Sequence, residues 1–96
     1  MGQTYKVELD DRIVQEPGNI VSDMDGETVM LSIERGKYYN FSEVGGSIWQ
    51  AVRQPSTVRE VVAAIMAEYE VDEQECRLEV VAYLEKLLAE GLVTKR

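Results

Sequence analysis

The 96-residue chain has no histidine, a single cysteine and few basic residues. Without histidine it lacks the usual general base and the commonest metal ligand, which counts against an enzyme. One cysteine, Cys76, excludes an internal disulfide and most cysteine-based metal sites. Ten basic residues face eighteen acidic ones, a net charge of −8. Phosphate binding needs a basic face, so no nucleic-acid partner is expected. No apolar run reaches membrane-spanning length, and the start, MGQTYKVELDD, has no apolar signal core. A cytoplasmic protein with no membrane partner is therefore expected.

What is present suffices for one small domain, residues 1–96, with a single modest core. Its apolar content is 45%, ordinary for a globular chain. Residues 1–11 are polar and aperiodic, and are expected to be flexible. Arg12 to Glu16 holds the apolar pair Ile13-Val14 and can be extended, and Pro17-Gly18-Asn19 is a turn. Ile20 to Met24 reads as a strand, Asp25-Gly26 as a hairpin turn, and Thr28 to Ile33 as a second strand. In that second strand Val29, Leu31 and Ile33 share one face while Met30 is apolar on the other. Glu34-Arg35-Gly36-Lys37 is a second turn, with glycine available for a positive φ. Tyr38 to Phe41 is the third strand, so the three form an antiparallel meander.

The stretch from Gly36 to Gln50 joins this sheet to a helical half. Ser42 is a helix N-cap, and Val44, Ile48, Trp49 and Val52 follow at helical spacing. The first helix is expected over about Ser42 to Arg53, with Trp49 in the core. Gly45-Gly46 costs that helix roughly 1 kcal/mol per glycine relative to alanine. The cost points to close backbone packing, against the sheet or the third helix. Gln54-Pro55-Ser56 ends the helix. Thr57-Val58-Arg59-Glu60 is a capping box, and the helix it opens buries Val61, Val62, Ile65, Met66 and Tyr69. Asp72 caps a third helix that runs to about Glu90, with Gly91 at C′.

Two features stand out. The third strand has one neighbour in chain order and lies at an edge, yet Tyr38 to Phe41 carries no charge or proline to block pairing. The third helix is apolar over a wider arc than a single packing partner needs. Val80, Leu84 and Leu87 form its central stripe. Cys76 and Tyr83 flank the stripe on one side, and Val81, Leu88 and Arg77 on the other.

Three strands followed by three helices suggest a winged-helix-like α+β domain. The ordered signals are the hairpin, Gly36-Lys37-Tyr38-Tyr39, Phe41-Ser42-Glu43-Val44-Gly45 and Ile48-Trp49. Thr57-Val58-x-Glu60-Val61-Val62, Tyr69-Glu70-Val71-Asp72 and Leu84-x-x-Leu87-x-x-x-Gly91-Leu92 follow. Over residues 12–93 this arrangement resembles the PqqD-like family of peptide-binding domains, the RiPP recognition elements. Phe41-Ser42 stands where the family usually has Leu-Asn, and still supplies a core residue followed by an N-cap.

The resemblance implies a non-enzymatic leader-binding protein without cofactor. The leader of a ribosomally made precursor peptide would add as an antiparallel strand to the third strand and lie against the third helix. A free-standing chain of this pattern is most similar to the leader-binding proteins of lasso-peptide biosynthesis. Those act beside a cysteine protease or other maturation enzyme, on leaders bearing Tyr-x-x-Pro. Leaders of pyrroloquinoline quinone precursors or of radical-SAM-modified peptides are the alternative within the family. The expected site is the 37–41 edge (Lys37, Tyr38, Tyr39, Asn40, Phe41) with Arg77, Val80, Val81 and Leu84 from the third helix. Tyr39 and Phe41 face the core, and Arg77 would pair with an acidic leader residue. An open edge can also pair with its own copy as a homodimer.

Other readings fit less well. A winged-helix DNA-binding protein would present a recognition helix with Arg77 and Lys86 against Glu73, Glu75, Glu79, Glu85 and Glu90, which repels phosphate. A carrier protein needs a serine at a helix start in an Asp-Ser-Leu-like context, and the serines lack it. Asp10-Asp11, Glu68-Glu70 and Asp72-Glu73-Glu75 lie at termini or helix boundaries, where acids cap or solvate. Cys76 sits near a helix start, where a thiol pKa can fall, but without a histidine partner it is read as packing. The acidic surface would act on the rate of docking to a basic enzyme face.

Overall fold

The computed structural model describes residues 6–24, 27–33 and 36–96, with backbone alone at 23, 24 and 27. The elements run β1 (Arg12–Gln15), β2 (Asn19–Met24), β3 (Glu27–Ser32), β4 (Lys37–Phe41) and α1 (Glu43–Ala51). They continue as β5 (Ser56–Thr57), α2 (Val58–Glu68), α3 (Glu73–Ala89) and β6 (Val93–Lys95). None of the described helices is long and apolar enough to cross a membrane.

The meander is present as an antiparallel sheet in the order β2-β3-β4, which leaves β4 at an edge. The Asp25-Gly26 turn and the Glu34-Arg35 part of the second turn lie outside the described residues. The strands they join pair from Met24↔Glu27 and from Ser32↔Lys37. Gly36 has φ 65°, where a glycine is favoured. Alternation then sorts the side chains. Met30 and Phe41 point into the core, with Tyr39 packed against it. The opposite face carries the cross-strand row Ile20↔Leu31↔Tyr38, in which Ile20 is 52% and Tyr38 74% exposed. The more apolar face of β3 is thus the outer one.

A second sheet, in the order β5-β1-β6, is absent from the sequence-based expectation except for the extended Ile13-Val14. Its strands have two to four residues, too few for a periodic signal. Ile13 is fully buried between its neighbours' backbones, pairing with Ser56 on one side and Lys95 on the other.

The helices begin where their caps stand. Ser42 Oγ accepts the Gly45 N–H at 3.0 Å. Thr57 Oγ1 accepts the Glu60 N–H while Glu60 Oε1 accepts the Thr57 N–H at 2.7 Å. That second bond holds the Glu60 carboxyl below its ordinary pKa. Asp72 accepts the Glu75 N–H. At the far end of α3 the Leu92 N–H reaches Leu87 O and the Gly91 N–H reaches Leu88 O, with Gly91 at φ 74°. This is a Schellman turn, and it buries Leu92 and aims β6 back at β1.

The core gathers Trp49, Ile48 and Val52 of α1, Val58, Val61, Val62 and Ile65 of α2, and the Val80–Leu84–Leu87 stripe of α3. Met66, expected inside, is 37% exposed, because it falls one position beyond the arc that α3 covers. Residues 6–11, expected to be flexible, pack along α3. Val7 is buried and its N–H donates to Glu85 Oε2 at 3.0 Å. The carbonyls of Leu9 and Asp11 accept the Arg59 and Val58 N–H groups at the start of α2.

Both glycines of α1 are contact points, one for each alternative raised by the sequence. A Cβ on Gly45 would meet Tyr83 Oη of α3 at 2.5 Å, and one on Gly46 would meet Thr28 Oγ1 of β3 at 2.8 Å. Gly45→Ala is therefore expected to lower stability by about 1–2 kcal/mol in denaturant unfolding, despite alanine's better helix propensity. Adding Tyr83→Phe should recover part of the loss. Simple additivity of the two changes would show that the contact is not the cause.

Candidate functional site

Beside the open edge of β4 lies α3, and between them runs a trench. Phe41 sets its depth, packing on Trp49 with ring centroids 5.7 Å apart and edge-on to Tyr83 at 6.1 Å. Tyr39 closes the floor further along, where its hydroxyl donates to Glu90 Oε1 at 3.0 Å. The β4 wall is Lys37 to Phe41, and the α3 wall is Tyr83, Lys86, Leu87 and Glu90. This part measures about 380 Å³. Past Phe41 the trench opens into a second chamber of about 400 Å³. Val44, Gly45 and Ile48 of α1 form one side of it, and Glu79, Ala82, Tyr83 and Lys86 the other.

The structure places Lys37 to Phe41 of the expected site along this trench and the four residues expected from the third helix away from its walls. Val80 and Leu84 are fully buried core residues, so neither offers a surface. Val81 packs half-buried against the core on the opposite flank. Arg77 lines a different cavity of about 190 Å³, with Leu9, Arg59, Val62, Ala63, Met66 and Glu73. Arg77, Val81 and Glu85 lie at four-residue spacing on one face, which the 6–11 segment lies along through Leu9 and the Val7–Glu85 bond. That segment decides which flank stays free. The sequence showed two flanks of similar apolarity, and the signal that breaks the tie is the Val7–Leu9 alternation inside KVELDD.

Among the described residues no cluster of three or more His, Cys, Asp or Glu is arranged for a metal ion. Cys76 is buried, and its thiol faces the Val62 carbonyl at 3.9 Å. Burial, with Glu79 second, pushes its pKa up, the reverse of what a helix start alone would give. Among the described residues no strand but β3 pairs with β4, and the trench adds an aromatic floor and a short charged rim. A sheet edge beside such a trench is a geometry to which an extended segment can add as a further strand.

Comparison with known proteins agrees. The family model described as coenzyme PQQ synthesis protein D (PqqD) matches residues 27–93, and the chain belongs to this family. The matched stretch contains both walls of the trench. No curated protein sequence matches the chain. A solved structure described as TbiB1 in complex with the TbiA(beta) leader peptide is 28% identical, covering 83% of this chain and 93% of its own, with a TM-score of 0.75. A second, a lasso peptide synthetase B1 complexed with the leader peptide, is 21% identical, covering 85% and 96%, with a TM-score of 0.74. The second likeness is one of fold.

Burial in the trench wall pushes the Tyr83 hydroxyl up to about 12. A pKa raised by folding stabilises fully below the unfolded value and is lost as pH rises through the folded one. Stability is therefore expected to fall between about pH 10 and 12, and less steeply in Tyr83→Phe. Unfolding at stepped pH measures this, and equal slopes for the two proteins would contradict it.

Proposed function

We propose that this chain holds the leader of a ribosomally made precursor peptide, added as an antiparallel strand to β4 and lying in the trench against α3. The observation that carries the reading is the outer edge of β4, paired with no described strand but β3, set beside a trench that no described residue fills. Main-chain hydrogen bonds from Lys37 to Phe41 supply affinity, and the chambers on either side of Tyr83 supply selectivity. Likeness to two leader-peptide complexes, one of them at 28% identity, supports a lasso-type leader over other classes. The bound peptide is then presented to a maturation enzyme such as a cysteine protease, and the chain itself catalyses no step. Without peptide, the same edge is free to pair with a second copy.

An NMR titration of labelled protein with a synthetic lasso-type leader containing Tyr-x-x-Pro tests this. Shifts are expected at residues 37–41 and at Glu79, Ala82, Tyr83, Lys86, Leu87 and Glu90. Arg77, Val81 and Leu88 should stay unmoved. A leader of an unrelated class serves as control. Shifts with the control alone would move the chain to another peptide class. No shift with either leader at high micromolar concentration would overturn leader binding.

A further inference from the structure

The charge pattern of the trench goes one step beyond strand addition, and rests on that reading. Among the described residues Lys86 is the one cation that lines both chambers. Neither trench acid of α3 forms an ion pair with it. Glu90, one turn on, accepts the Tyr39 hydroxyl. Glu79 lies two turns back, about 10 Å along the helix axis. Among the described residues the ion pairs are Arg59–Asp10 and Lys95–Asp11, so Lys86 has none. Lys37, at the end of the β4 wall, has none either. In a chain of net charge −8, an ammonium without an ion pair at the middle of a trench whose floor is aromatic is a selective feature.

We propose that Lys86 selects peptides carrying an aspartate or glutamate at one position of the added strand. The four-carbon stem can lie along the Tyr83–Leu87 wall while the ammonium reaches the trench mouth. A strand paired to β4 sends alternate side chains toward α3, so residues of one parity alone can meet it. Glu79 and Glu90 on either side make the preference a single carboxylate, since they repel a polyanion. The pairing is worth more here than on open surface, because the peptide excludes water from one side.

The test is a glutamate scan. A fluorescein-labelled lasso-type leader with Tyr-x-x-Pro is made with glutamate at each position in turn, and Kd is measured by polarisation at low and high salt. With the unaltered protein, glutamate at one position should tighten binding about threefold to fivefold, with neutral or adverse effects at its immediate neighbours. Raising salt should shrink that gain. In Lys86→Gln the ratio of parent to glutamate-variant Kd should fall to about one, whatever the variant's affinity for the parent leader, and Lys86→Glu should transfer the preference to lysine at the same position. A glutamate profile unchanged in Lys86→Gln would overturn the proposal and leave leader binding intact. Failure of the unaltered protein to bind any peptide of the scan would overturn leader binding and the Lys86 role together.

Discussion

The contact among Phe41, Trp49 and Tyr83 is the joint on which the architecture turns. Phe41 is the last residue of β4, Trp49 lies in α1, and Tyr83 lies in α3. The three rings therefore fix a strand, the helix that follows it and the third helix at one point. Aromatic pairs at these separations add about 0.5–1.5 kcal/mol each beyond the area they bury. Their larger consequence is geometric, because they set how far α3 stands from the β4 edge. Gly45 belongs to the same joint, since only a residue without Cβ lets α1 come so close to the Tyr83 hydroxyl.

Around that joint α3 is used on three sides. Its central stripe is core, one flank is covered by the 6–11 segment, and the other faces β4 across open space. A helix with a single partner would not need so wide an apolar arc. The 6–11 segment closes one side, and no described residue closes the other.

Much of this was legible in the residues. The three caps at Ser42, Thr57 and Asp72 and the Gly91 stop are local chemistry, and they appear where spacing put them. The meander and its free edge followed from turn signals and short connections. The glycine pair announced a close approach by its cost to the helix. What escaped was set by tertiary position. β1, β5 and β6 are too short to show a period, and their pairing depends on the Schellman turn returning the chain. The choice between the two flanks of α3 depended on a segment that is polar on average but alternates at Val7 and Leu9. Arg77 was attractive as a lone cation beside apolar residues, while Lys86, equally lone, was the one on the open side.

The outer face of the β2-β3-β4 sheet carries the row Ile20, Leu31 and Tyr38, and that row stops at the free edge. Any strand that pairs with β4 lengthens it by one column, since alternate residues of the newcomer fall level with Tyr38. The surface then met by a third molecule is a mosaic drawn from two chains, and it exists only while both are present. A partner that rests on that mosaic would distinguish the loaded domain from the empty one without any change in the domain's own shape.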